Sequence, residues 1–153
     1  TRGDEQLLGN LAETYMMLNR LDDAIASYHR AIAAGAARVS TVYGLAVALD
    51  RDGSGDQAIR QIQGQGAEGL DAFTKECIRH AVFFVPSGES AYYFALANEA
   101  AGNYSAALSL WTRYIASGAH PEFQDRAREH IEALHEKHVH PESPPPELIP
   151  PPC

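Results

Sequence analysis

Residues 8–31 read LGNLAETYMMLNRLDDAIASYHRA, and this stretch decides the fold. Leu8, Leu11, Ala12 and Tyr15 recur at the three- and four-residue spacing that places side chains on one face of a helix. Asn19, Arg20 and Leu21 interrupt the pattern, and Ala24, Tyr28 and Ala31 begin a second stripe. Two helices joined by a short turn are predicted, with Ala12 and Ala24 small where the backbones approach most closely. Working outward, the pattern returns at Val42, Leu45, Ala46 and Leu49, then at Ala58 and Ile62. From Ala24 to Ala58 the step is 34 residues. A third occurrence follows at Ala91, Phe94 and Ala95, with a turn at Gly102-Asn103-Tyr104 and a partner helix marked by Ala107 and Trp111. Here the step, from Ala58 to Ala107, is 49 residues, one period plus fifteen.

A 34-residue period with small and aromatic residues at these places resembles the tetratricopeptide repeat. The resemblance implies an all-α, helical-hairpin repeat solenoid, a TPR-like superhelix with an inserted helix and a C-terminal capping helix. Repeats are expected at about 5–36, 39–66 and 88–119, with an insertion at 70–86 and the capping helix at 122–138. These form a domain over 1–138, followed by a proline-rich tail over 139–153. The family is a binding scaffold without chemistry of its own, and its first helices line a concave groove. Carried over by register, the groove positions are Asn10, Glu13 and Met17 in the first repeat, Tyr43 and Val47 in the second, and Tyr92, Leu96 and Glu99 in the third, with Tyr93 beside them. Members that clamp a terminal carboxylate use Lys and Asn, where this chain has Gly9 and Glu13, so that mode is not expected. An aromatic and acidic groove suits an apolar or basic protein segment. Tyr92 and Tyr93 are adjacent on a helix and do not share a face, so one of them is expected to meet the groove or solvent.

The element ends are marked as well. Asp4, Asp22 and Asp56 are placed to cap helices, and Gly35, Gly102 and Gly118 to end them. Gln63-Gly64-Gln65-Gly66-Ala67-Glu68-Gly69 stops the fourth helix. A helix over residues 70–85 is then expected, closing on Val82-Phe83-Phe84-Val85 before Pro86. Asn98 stands where the repeat wants a large apolar residue. The last helix carries Phe123, Ala127, Ile131 and Leu134 on one face and Asp125, Arg126, Arg128, Glu129, Glu132 and Glu136 on the other, the arrangement a terminal cap needs.

Composition narrows the function. At 153 residues and 45% hydrophobic content the chain is one domain's worth of globular sequence. A formal net charge of −8 repels phosphate backbones, so nucleic acid is not an expected partner. No apolar run approaches a membrane span, and no signal peptide is visible. Because the chain starts at Thr1 rather than Met, the compartment stays open. Gly53-Ser54-Gly55 is not a phosphate loop, since no Lys-Ser or Lys-Thr follows and no strand precedes. Cys77 and His80 lie three apart, the spacing of a thiolate–imidazole pair, but no orienting carboxylate or oxyanion donor is identifiable beside them. His130, His135, His138 and His140 cluster near the chain's last helix end, where histidines also complement the helix dipole; nothing fixes a metal geometry among them. No cofactor is expected. Pro144-Pro145-Pro146 and Pro150-Pro151-Pro152 favour polyproline II. The expected function is therefore a non-catalytic protein–protein interaction scaffold or assembly subunit that holds a partner segment. Two alternatives stand beside it. One is a permanent structural subunit bound through the convex face or the proline-rich tail; the other is a small metal-binding protein or enzyme.

Overall fold

A computed structural model describes residues 2–35, 38–78 and 89–141. Among these residues it holds eight α-helices, one 3-10 turn and no strand: α1 (Arg2–Met17), α2 (Leu21–Ala33), α3 (Val39–Arg51), α4 (Gly55–Gln63), α5 (Gly69–Ile78), α6 (Ser90–Ala100), α7 (Tyr104–Ser117), the 3-10 turn Pro121–Phe123 and α8 (Gln124–Glu136). The expected all-α class holds. The most extensive packing is within α1–α2, α3–α4 and α6–α7, with α2–α3, α4–α6 and α7–α8 joining successive pairs. α5 lies beside α3 and α6, outside this sequence of neighbours.

The three hairpins turn in the same way. Asn19, Gly53 and Gly102 each take positive φ, at 56°, 89° and 81°. The amide of the next residue then reaches back into the finished helix: Arg20 N–H to Tyr15 O at 2.8 Å, Ser54 to Leu49 at 2.8 Å and Asn103 to Asn98 at 2.8 Å. That residue's own carbonyl accepts the first bond of the following helix, from Ala24, Ala58 and Ala107 at 3.0 Å each. These geometries recur at the 34- and 49-residue steps read from the sequence. So do the small residues that allow close approach: Ala12, Ala46 and Ala95 are 0% exposed, as are Ala24, Ala58 and Ala107.

This turn geometry corrects the expected caps. No side-chain cap bond forms at α2 or α4, which begin at Leu21 and Gly55. The backbone of the preceding turn already sets the start of each helix, so Asp22 and Asp56 fall inside the first turn, where they complement the dipole. α1 likewise begins ahead of Asp4. The apolar stripe assigned to α1 is corrected in part: Ala12 is buried, but Leu11 is 38% exposed, and Glu13 and Met16 face the core beside Ala12. Asn98 is tolerated in the core because its amide donates to Phe94 O at 2.7 Å and its carbonyl oxygen accepts from Asn103 at 3.3 Å. Of the expected 70–85 helix, the part to Ile78 is helical as α5; His80 and the Val82–Val85 run lie outside the described residues. At the other end, Val139 packs against the core, one residue into the expected tail, and residues 142–153 lie outside the described set.

Helices α2 and α3 meet most tightly at Gly44. A Cβ there would stand 2.6 Å from Cζ and Oη of Tyr28 and 2.7 Å from a ring carbon. The buried Tyr28 ring therefore lies directly on the α3 backbone, and the clash partner is a packed ring rather than a flexible chain end. Gly44→Ala is expected to lower stability by roughly 1–3 kcal/mol through overpacking, and Ala58→Leu by a similar amount. Chemical denaturation of both variants measures this; wild-type midpoints would show that neither site is a close contact.

Candidate functional site

The positions carried over as groove-lining separate into two groups. Asn10 and Met17, on α1, are exposed, Met17 by 61%. Glu13, Tyr43, Val47, Tyr92, Tyr93 and Leu96 are 0–3% exposed, and Glu99 is mostly covered. The expectation that Tyr92 or Tyr93 meets groove or solvent is overturned: both are in the core. The reason is that α6 is surrounded. Tyr92 packs edge-on against Trp111 at 4.7 Å and Tyr114 at 5.1 Å, both on α7. Tyr93 stacks on Phe73 of α5 at 5.9 Å, and Phe73 also meets Tyr43 at 4.8 Å and Phe94 at 5.2 Å. The inserted helix thus supplies the ring that covers the aromatic positions of α3 and α6.

What the fold brings together is a buried polar network that the sequence pattern did not single out. Asp50, near the end of α3, is 0% exposed. Its carboxylate accepts the Tyr92 hydroxyl, lies 2.9 Å from His130 Nε2 through both oxygens, and accepts Arg126 Nη2 at 2.9 Å. His130 Nδ1 pairs with Glu99 Oε2 at 2.7 Å, and its ring stacks on Trp111 at 4.3 Å. Burial alone would lower the His130 pKa; its bonds to Asp50 and Glu99 outweigh that and raise it to about 9. Asp50 is held below the usual carboxylate range, since His130 and Arg126 outweigh the effect of burial. A Cβ on Gly55 would stand 2.5 Å from Arg126 Nη2, so any larger residue there would displace the guanidinium from its place beside Asp50.

The next residue points the other way. Arg51 donates to Glu89, which precedes α6, and its guanidinium lies over the rings of Tyr92 at 4.4 Å and Phe123 at 4.1 Å. Glu89 also pairs with His120 at 2.7 Å. Glu13 completes this second cluster in an unusual state. It is 3% exposed, and neither carboxyl oxygen has a hydrogen bond of normal geometry among the described residues. Burial, then the Glu89 charge, raise its pKa to about 8, against smaller opposing effects from Tyr28 and Arg51.

The histidine cluster does not assemble. His130 is drawn into the Asp50 network, whereas His135, His138 and His140 are exposed. Cys77 is 5% exposed in the core, and His80 lies outside the described residues. One signal for the network was present in the sequence: Asp50-Arg51 ends a helix that is otherwise apolar and small, at the positions where the first repeat has Met16-Met17. No family model, curated protein or solved structure matches the chain.

Two predictions follow the charges. Asp50→Asn removes the fully buried counter-charge that His130 and Arg126 share, leaving them only Glu99 and Glu129, and is expected to cost roughly 3–5 kcal/mol, read by denaturation at neutral pH. Glu13 has a folded pKa raised above its ordinary 4.5, so the stability it contributes is complete below about 4.5 and is lost as pH rises through about 8. Glu13→Gln is expected to flatten the fall in melting temperature across that window. An unchanged slope would mean that Glu13 is ionised in the folded protein.

Proposed function

We propose that this chain is a non-catalytic interaction scaffold of tetratricopeptide-like repeats, which holds a protein segment within a larger assembly. The observation that carries the reading is the repeated hairpin. The same left-handed turn, backward amide bond and fully buried alanine pair occur three times, at the steps expected of a 34-residue unit with one fifteen-residue insertion. The charged side chains support it too. Asp50, His130, Arg126, Arg51 and Glu89 are engaged with one another between helices, as groups that fix helix positions. Partner contact in this reading falls on the accessible positions, Asn10 and Met17 of α1, and on the edge of Tyr43.

A second reading, a permanent structural subunit held through another face, is favoured by one observation: Phe73 of α5 already occupies the aromatic positions of α3 and α6. Crosslinking mass spectrometry in native extract separates the two, using the intact protein and an Asn10→Arg/Met17→Glu variant. Both substitutions are at exposed positions and leave the core untouched. A scaffold that uses the α1 face loses its crosslinked partner in the variant by at least about tenfold in yield, corresponding to ~1.4 kcal/mol. A partner retained at the wild-type level moves the contact to another face and supports the structural-subunit reading.

A further inference from the structure

Where the repeat period breaks, the chain leaves a cleft of about 370 Å³ between α4, the glycine-rich connection, α5 and α6. It is lined by Ile62, Gln63, Gly66, Ala67, Leu70, Tyr43, the α6 alanines Ala97 and Ala100, and Ala101 just after α6. Two features make it more than a packing gap. No charged residue lines it, and its α6 wall is made only of alanines, so a bulky apolar group meets methyl surface. In addition, Tyr43 is 2% exposed, lines the cleft, and its hydroxyl has no hydrogen-bond partner among the described residues. The hydroxyl is held in place: the Tyr43 ring packs on Phe73 at 4.8 Å, and a Cβ on Gly69 would stand 3.1 Å from Tyr43 Oη. The Tyr43 ring is nearly buried but its O–H, with no acceptor among the described residues, reaches solvent at the edge of an uncharged, alanine-walled cleft, where a bound acceptor replaces water.

We propose that this cleft is the anchor site for one bulky apolar side chain of a bound protein segment, leucine or phenylalanine in character, whose main-chain carbonyl accepts the Tyr43 O–H. The volume is sufficient, since a cavity of about 150 Å³ already holds benzene. The lining also decides between the two kinds of segment compatible with the scaffold reading, on which this inference rests. A lysine or arginine head placed here would lose its hydration with no carboxylate to meet it, whereas an apolar side chain loses nothing. The segment is therefore apolar at this point.

The test is methyl NMR titration of the intact, labelled protein with four probes: N-acetyl-leucine methylamide, N-acetyl-phenylalanine methylamide, N-acetyl-lysine methylamide and toluene. The first two are expected to shift the Ile62, Ala97 and Ala100 methyls saturably, with Kd on the order of millimolar for ligands of this size. The lysine probe is expected to bind at least about tenfold more weakly, since it brings a charge into an uncharged cleft. Tyr43→Phe keeps the ring and removes the donor; it should weaken the leucine probe by about three- to tenfold and leave toluene unchanged. Ala101→Phe, at an exposed position at the cleft edge, should abolish binding of all probes while the remaining methyl spectrum stays in place. Absence of saturable shifts, shifts centred elsewhere, or equal affinity in Tyr43→Phe would overturn the site. Binding of toluene alone would overturn the peptide assignment and leave a cleft for a free apolar molecule. If the site fails while the crosslinked partner of the native extract persists, the scaffold reading survives without it.

Discussion

The Asp50 carboxylate is the constraint around which the C-terminal half is built. A fully buried charge costs several kcal/mol unless its counter-charges and donors are buried with it. Here they come from three places: Tyr92 on α6, and Arg126 and His130 on α8. Each donor fixes the position of its own helix relative to α3. α8 is thereby tied to an element that lies five helices earlier in the chain, although its main packing is on α7. The Trp111 ring stacked on His130 orients it, and Asp50 and the Glu99 carboxylate on the other imidazole nitrogen favour its charged form. Apolar packing by itself does not choose among rotations of a helix about its axis; a carboxylate with directional partners does.

Arg51 gives the same service on the opposite side of α3. Its guanidinium is sandwiched near Tyr92 and Phe123 and paired with Glu89, so the start of α6 and the 3-10 turn before α8 converge on it. Two adjacent residues of opposite sign thus organise two clusters that share Tyr92 as their common wall. The clusters differ in balance. Around Asp50 the positive groups suffice, whereas the Glu13 carboxyl is pushed up first by its burial and then by the Glu89 charge, against a smaller opposing effect from Arg51. That difference makes the α1 side of the molecule the more sensitive to alkaline conditions.

The inserted segment has two structural effects. Its helix α5 delivers Phe73 to the aromatic surface of α3 and α6, which turns positions that would line a groove into core. The glycine-rich connection before it, in contrast, borders a cleft against the alanines at the end of α6, with Tyr43 in its lining. Closing one surface and opening another are consequences of the same fifteen extra residues.

The hairpins were legible in the sequence because they are local. Helical spacing, a positive-φ residue at each turn, and a small residue wherever backbones meet are properties of neighbouring residues. Ala12, Ala24, Ala46, Ala58, Ala95 and Ala107 are fully buried as their spacing required. The caps were misread for a related reason: a three-residue turn starts the next helix from the previous one's backbone, and leaves the acidic side chains no cap to make. Which face of each helix is covered was not legible, because that depends on elements distant in sequence. Register placed Tyr92 and Tyr93 on a groove, but α5 and α7 close over them from either side. Asp50, Arg51, Glu89 and His130 read one at a time as ordinary charges. Only tertiary structure made them a network, since a buried charge is defined by partners from as far as 80 residues away in sequence. The sequence by itself determined the helices and their turns; the packing of the insertion and the pairing of buried charges determined which of their faces are covered.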